Sequence, residues 1–188
     1  VFPRDDAGRP LSPTLYTAGD PTCPDPTYFG FAFDKNGNLL VNEAFGKATS
    51  IPAPNAGAVS SFSIGRRTGT LTPISTSVAN MQTTPCWAVV DTHGHLFVSN
   101  NNSDSISSYT VGTDGSLTLL DQAASVSVGS VPNDMMIGTD RFNSSFLYAN
   151  NAGNCTVGAW RVGADSTLAP LGTCSRSPVT AGPRAFAG

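Results

Sequence analysis

Charge is the scarcest property of this 188-residue chain: charged residues make up 12% of it, ten basic against thirteen acidic, for a formal net charge of −3. The basic stripe that holds phosphate backbones is missing, which excludes nucleic acid as a partner. Long apolar runs are missing as well. None reaches the roughly 18 residues of a membrane-spanning helix, and no charged head with apolar run and cleavage site opens the sequence. These absences predict a soluble chain with no membrane partner and no address label. Apolar residues at helical spacing are also lacking, and 19 Gly with 14 Pro exclude a helical bundle. A hydrophobic share of 39% is too high for disorder and sufficient for one packed domain.

The four cysteines include no C-x-x-C pair, which argues against zinc and dithiol redox chemistry and for disulfides in an oxidising compartment. Three N-x-[ST] sequons, at Asn101, Asn143 and Asn154, point the same way and predict an extracellular, glycosylated protein.

What the sequence does have is a repeat. Tyr28–Asp34, Pro85–Asp91 and Pro132–Gly138 align as short apolar strands ending in turns. Leu39–Glu43, Leu96–Asn100 and Phe146–Asn150 follow them through hairpin connections. The third strands are Ala58–Ile64, Ser105–Val111 and Thr156–Val162, with the alternation of period two that strands require. Glycine-containing turns then lead to short fourth strands at Leu71–Pro73, Leu117–Leu119 and Leu168–Pro170. Val59 and Ile106 lie 47 residues apart and Ile106 and Val157 lie 51 apart, a period that signals propeller blades. The reading is all-β: a β-propeller of four-stranded antiparallel blades. Its units are the second half of a blade over 1–22, complete blades over 23–81, 82–129 and 130–174, and a C-terminal tail or closing strand over 175–188.

The phrases Phe29-Gly30-Phe31-Ala32-Phe33-Asp34, Leu40-Val41-Asn42-Glu43-Ala44-Phe45-Gly46, Gly57-Ala58-Val59-Ser60-Ser61-Phe62 and Gly115-Ser116-Leu117-Thr118-Leu119-Leu120 resemble the lactonase-like seven-bladed β-propellers, a group that includes 6-phosphogluconolactonase and 3-carboxymuconate cyclase types. The resemblance covers residues 1 to 174 and implies about three and a half blades of a seven-bladed ring, from its C-terminal half. A blade buries both faces against neighbours, so such a sector leaves apolar faces and strand edges bare. The expected partners are the remaining blades of the same propeller or a second chain completing the ring. A tail that closes a small four-bladed ring is the lesser alternative, because Pro178 and Pro183 make a poor strand.

In a propeller, loops entering the innermost strands share a face with loops joining second to third strands. That places Tyr28, Phe29, Cys86, Trp87, Asn133 and Asp134 together with Asn42, Glu43, Asn100, Asn101, Asn150 and Asn151 on the ligand face. His93 and His95, beside Gly94, fall in a turn on the opposite face and read as polar turn residues. Glu43 is the only glutamate, at a strand end where the other repeats carry Asn100 and Asn150. It is the candidate general base for lactone opening, with Asp134 as acid or orienting partner; the competing reading has Glu43 binding loop backbone. No cofactor is expected. Glu43, Asp134 and channel amides suit a hard divalent cation, but no metal-loop spacing accompanies them.

Arg4, Arg66, Arg67 and Arg141 fall on the wrong face for a substrate phosphate, leaving Lys47, Arg161, Arg176 and Arg184 nearer the ligand side. Trp87 and Trp160 read as rings packed between blades. Cys155 and Cys174 fall on one face of one blade and are expected to form a disulfide. Cys23 and Cys86 are a looser pair, and four cysteines allow three connectivities.

Two functions fit. One is a secreted lactonase or cyclase-like propeller acting on a small cyclic ester or muconate-type acid. The other is a non-catalytic propeller that binds carbohydrate, peptide or a partner protein through its channel face.

Overall fold

The computed structural model describes residues 4–9, 27–45 and 54–175. Within them the chain forms three four-stranded antiparallel sheets, each a simple up-and-down meander. The first blade is β1 (Tyr28–Phe33), β2 (Leu39–Glu43), β3 (Ala58–Ile64) and β4 (Leu71–Ala79). The second is β5 (Pro85–Val90), β6 (His95–Asn100), β7 (Ser105–Val111) and β8 (Leu117–Val126). The third is β9 (Pro132–Thr139), β10 (Ser145–Asn151), β11 (Thr156–Val162) and β12 (Leu168–Ser175). A single 3-10 turn at Asn101–Ser103 is the one helical segment among the described residues.

The turns follow from local chemistry. Asp34 and Asp91 each open a first hairpin and fold a carboxylate oxygen back onto two backbone N–H groups, those of Asn36 and Asn38 and those of His93 and His95, all at 2.8 Å. Residues 4–9 form a tight turn with N–H bonds from Asp5 to Arg9 O (3.0 Å) and from Gly8 to Asp5 O (2.8 Å). The turn from Gly112 to Ser116 repeats that pattern. Most of the expected half-blade over 1–22, and all of the tail beyond Ser175, lie outside the described residues.

The blades pack face to face through two hydrophobic cores. Between blades 1 and 2 lie Leu40 and Val59 with Ala88, Leu96, Val98, Tyr109 and Leu117. Between blades 2 and 3 lie Phe97 and Ile106 with Met135, Leu147, Ala149, Trp160 and Val162. Strand period two explains the division: along β6, Leu96 and Val98 face one neighbour and Phe97 faces the other. Full burial of each such side chain stabilises the stack by about 1.5–3 kcal/mol.

The inner strands meet in the order β1, β5, β9. At their closest approach, a Cβ on Gly30 would lie 2.3 Å from the Cys86 carbonyl oxygen and 2.8 Å from the Trp87 Cα. Only glycine allows that contact.

Among the described residues nothing covers the two outer flanks. Phe31 is 65% exposed, whereas Ala88 at the same place in blade 2 is 4% exposed. On the far side Tyr148 is 41% exposed, against 0% for Phe97 at its equivalent position. Phe33, Met136 and Val157 are exposed on the same two faces. These are side chains whose counterparts elsewhere in the sector form the inter-blade cores, so the faces are built to be covered.

One sequence alignment is corrected by the structure. The hairpin registers pair Val90 with Leu96 and Ile137 with Leu147, so Leu147 corresponds to Leu96 and not to Phe97. Asn151, not Asn150, therefore occupies the place of Asn100 and Glu43. Asn151 is buried and Asn150 exposed.

Candidate functional site: the mouth of the channel

All three inner strands carry an irregularity at the same end. Tyr28 pairs with Glu43 and Phe31 with Val41, Pro85 with Asn100 and Ala88 with Val98, and Pro132 with Asn151 and Asp134 with Asn150. Each shift is a β-bulge, which breaks the ladder and re-aims side chains. The bulges include Phe29, Trp87 and Asn133, which are exposed, and with Tyr28 and the neighbouring Asp134 they form a partly aromatic, partly polar rim. The Trp87 N–H freed by its bulge is satisfied by Ser99 Oγ at 3.0 Å.

The loops around this rim are latched across the seams. Asn80 Nδ2 donates to Asn100 Oδ1 (2.8 Å), and Ser105 Oγ donates to Gln82 Oε1 (2.7 Å). Asp104, at φ 51°, receives the N–H groups of Gly129 (2.7 Å) and Val131 (2.8 Å). Asn101 Nδ2 donates to Asn133 Oδ1. Sequence reasoning missed Asn80, Gln82 and Asp104. Their only signal was an amide or carboxylate in a loop, the residue types that hold loop backbone.

The residues expected on the ligand face divide into two groups. Asn100 is buried and donates to Ser105 Oγ (3.2 Å) and Ser107 Oγ (2.8 Å), so it is a fastener within blade 2. Asn42 is buried with neither amide atom hydrogen-bonded. Tyr28, Trp87, Asn133 and Asp134 are exposed, and Asn101 is half-buried. Asn150 and Asp134 are cross-strand partners and line a groove with Met136, Tyr148 and Val157, on the bare flank of blade 3.

Glu43 is fully buried inside blade 1. Ser60 Oγ donates to its Oε1, and Ser77 Oγ donates to its Oε2 at 2.6 Å. The Ser77 N–H donates to Ser60 Oγ at 2.8 Å, closing the network. Asp134 lies two blades along, so the geometry does not bring these two carboxylates to one solvent-facing pocket.

The expected Cys155–Cys174 bridge is not formed, because Cys155 is an exposed thiol. Cys174 pairs with Val157 in the ladder, and Cys155 stands before it in a turn at φ 57°, off the extended geometry that would line the two up. Cys86 is also a thiol, with burial pushing its pKa up and the Asn101 backbone N–H opposing this; Cys23 lies outside the described residues. Of the sequon residues, Asn143 and Asn154 are exposed.

Arg161 reaches Ser144 Oγ (3.4 Å) in the β9–β10 turn, which puts it at the end away from the mouth. Lys47, Arg176 and Arg184 lie outside the described residues. At that far end Asp91 Oδ2 binds His95 Nδ1 at 2.9 Å, a pairing that fixes the turn. Trp160 packs in the core of blades 2 and 3, whereas Trp87 is exposed at the rim. Among the described residues no three acid, histidine or cysteine side chains converge as a metal site would require.

A family model described as lactonase, 7-bladed beta-propeller, matches residues 15–187. The chain belongs to this family. Compared by sequence with curated proteins, it has no match. Among solved structures, it is similar to a protein from Lactobacillus plantarum (TM-score 0.64, 16% identity, 91% of this chain and 46% of that one). It is similar also to a virginiamycin B lyase from Staphylococcus aureus, in a catalytically inactive form with quinupristin (TM-score 0.54, 15% identity, 91% and 46%). A third is the periplasmic gluconolactonase of Pseudomonas aeruginosa (TM-score 0.51, 16% identity, 94% and 64%). At these identities the likeness is one of fold. The lactonase-family sector spans about half the length of the first of these structures, and further blades are needed to complete its ring.

Proposed function

We propose that this lactonase-family sector contributes one side of a channel mouth that hydrolyses a small cyclic ester, a muconate-type acid being the related alternative. Asp134 is the general base. The observation that carries the reading is a carboxylate at a bulged inner-strand end, beside Asn133 and exposed in this sector at the edge of the blade 3 flank. Asp134 takes a proton from water as the oxygen adds to the lactone carbonyl. The ring C–O bond then breaks and the leaving oxygen takes that proton back from Asp134, giving an open-chain hydroxy acid. Glu43, enclosed and held by two serines, supports the blade. Lys35, Arg66, Arg67 and Arg141 belong to the turns of the opposite end and Arg161, in β11, reaches toward that end, which favours an unphosphorylated substrate. The exposed Asn143 and Asn154 sequons support an extracellular location.

The test is hydrolysis of a δ-lactone by the complete protein beside its Asp134→Asn and Glu43→Gln variants. Asp134→Asn is expected to lower kcat by about 10²–10⁴-fold. A rate equal to wild type removes Asp134 from the mechanism. No turnover of any lactone by the wild type favours a propeller that only binds.

A further inference from the structure

The two seams between blades are not alike at their outer rim. Between blades 1 and 2, the β7–β8 hairpin lies flat on its neighbour: a Cβ on Gly115 would stand 2.7 Å from both Asn38 and Ile74 side-chain atoms. The Leu117 N–H donates to Ser75 Oγ at 3.0 Å, and β8 packs against β3 and β4. Between blades 2 and 3, Ser166 takes the place of Gly115 at φ 70°, and Asp121 takes the place of Ser75. The Ser166 side chain meets the buried Ser108, Oγ to Oγ 3.4 Å, and props the hairpin away. The result is a groove of about 450 Å³ with Leu120, the counterpart of Ile74, left half-exposed.

The lining is specific. Asp121 stands on one wall and Asp165 on the other, with the Ser108 and Ser166 hydroxyls between them and Leu120 and Leu168 as apolar surface. Asp121 Oδ1 accepts the Ala123 N–H at 2.8 Å; Asp165 Oδ1 accepts from Thr167 Oγ1 (2.7 Å) and its N–H (3.2 Å), which holds its pKa below the usual carboxylate value. Each carboxylate is thereby oriented with Oδ2 left to accept from a ligand. Ser108 and Ser166, both buried, meet at the floor of the groove. Among the described residues no basic side chain lines the groove, which disfavours an anion, His95 acts on Asp165 only as a nearby charge, and the carboxylates do not converge with a third metal-binding group.

We infer that the outer groove between blades 2 and 3 binds a neutral saccharide, its hydroxyls donating to Asp121 and Asp165 while its C–H face rests on Leu120 and Leu168. Such a mixed polar and apolar lining, in a cleft of this size, is what an oriented small ligand needs. The site is separate from the channel mouth and stands whether or not the mouth is catalytic.

The test uses the complete protein with labelled leucine methyl groups, titrated with cellobiose or maltose and, in parallel, with calcium and with spermidine. The expected result is a saturable shift of Leu120 and Leu168 with a Kd on the order of millimolar. It should weaken about tenfold in Asp121→Asn and in Asp165→Asn, variants that alter one atom at the surface. Ser166→Gly is expected to close the groove and abolish the shift without loss of thermal stability, and Asp134→Asn is expected to leave it unchanged. No saturation by either sugar, a response confined to calcium or spermidine, or undiminished binding in the Asp121 and Asp165 variants overturns the assignment.

Discussion

Ser77 donates its hydroxyl proton to Glu43 Oε2 across 2.6 Å, in a pocket that solvent does not reach. Ser77 also sits at φ 45°, within an irregular stretch of the β3–β4 ladder. The bulge and the carboxylate are therefore one unit: the irregular backbone delivers the hydroxyl, and Glu43 fixes it and Ser60 in place. Glu43→Gln turns one acceptor into a donor and leaves a serine facing it. The expected loss is about 1–3 kcal/mol of stability, read as a lower urea midpoint with unchanged slope. An unchanged midpoint would contradict a structural role for Glu43.

Gly30 is held where no side chain fits, against the backbone of Cys86 and Trp87. Gly30→Ala must part β1 from β5, and overpacking of this kind costs about 1–3 kcal/mol. The same denaturation measurement applies. Because both neighbouring atoms belong to backbone, no rotamer change can absorb the methyl group.

Tyr109 is buried between blades 1 and 2 and donates its hydroxyl to the Val78 carbonyl oxygen at 3.2 Å. Burial pushes its pKa far above the ordinary value of 10.0, and the negative charge of Glu43 adds to the shift. The neutral phenol is thus favoured in the folded state. Its contribution is fully present below pH 10 and is lost as pH rises further, because the unfolded chain releases the proton first. Stability is expected to fall above pH 10 by up to about 1.4 kcal/mol per pH unit, and Tyr109→Phe should remove that part of the decline. Identical alkaline profiles for the two proteins would refute the assignment.

The bare flanks make a prediction about assembly. A chain limited to these residues is expected to bind a hydrophobic dye and to associate, through Phe31 and Phe33 on one side and Met136, Tyr148 and Val157 on the other. Phe31→Asp with Val157→Asp should reduce both effects, as followed by native mass and dye fluorescence. A monodisperse, dye-silent monomer would show that the flanks are already covered.

The strands, their order within each blade and the all-β class were legible in the sequence because they rest on local rules. Alternation along Ser105–Val111 and Asp-led turns such as Asp91–His95 need no distant partner to declare themselves. The site was less legible. The bulges that expose Trp87 and Asn133 have no local signature, and Glu43 and Asn100 were grouped with the rim residues although both are enclosed. The blade 3 register was misread by one residue because the β9–β10 ladder continues past Ile137 and Leu147 to Thr139 and Ser145 before an Asp-led turn of the same length, and a slip of one exchanges every side chain between faces. That slip concealed Asn151 behind Asn150.

The sequence by itself determined a propeller sector of four-stranded blades, since strand period and turn chemistry are set within a few residues. Only the tertiary structure decided which polar groups at the strand ends are fasteners and which face a ligand. That choice depends on which neighbouring blade covers each face, and covering is a property of packing between segments roughly a blade apart in the chain.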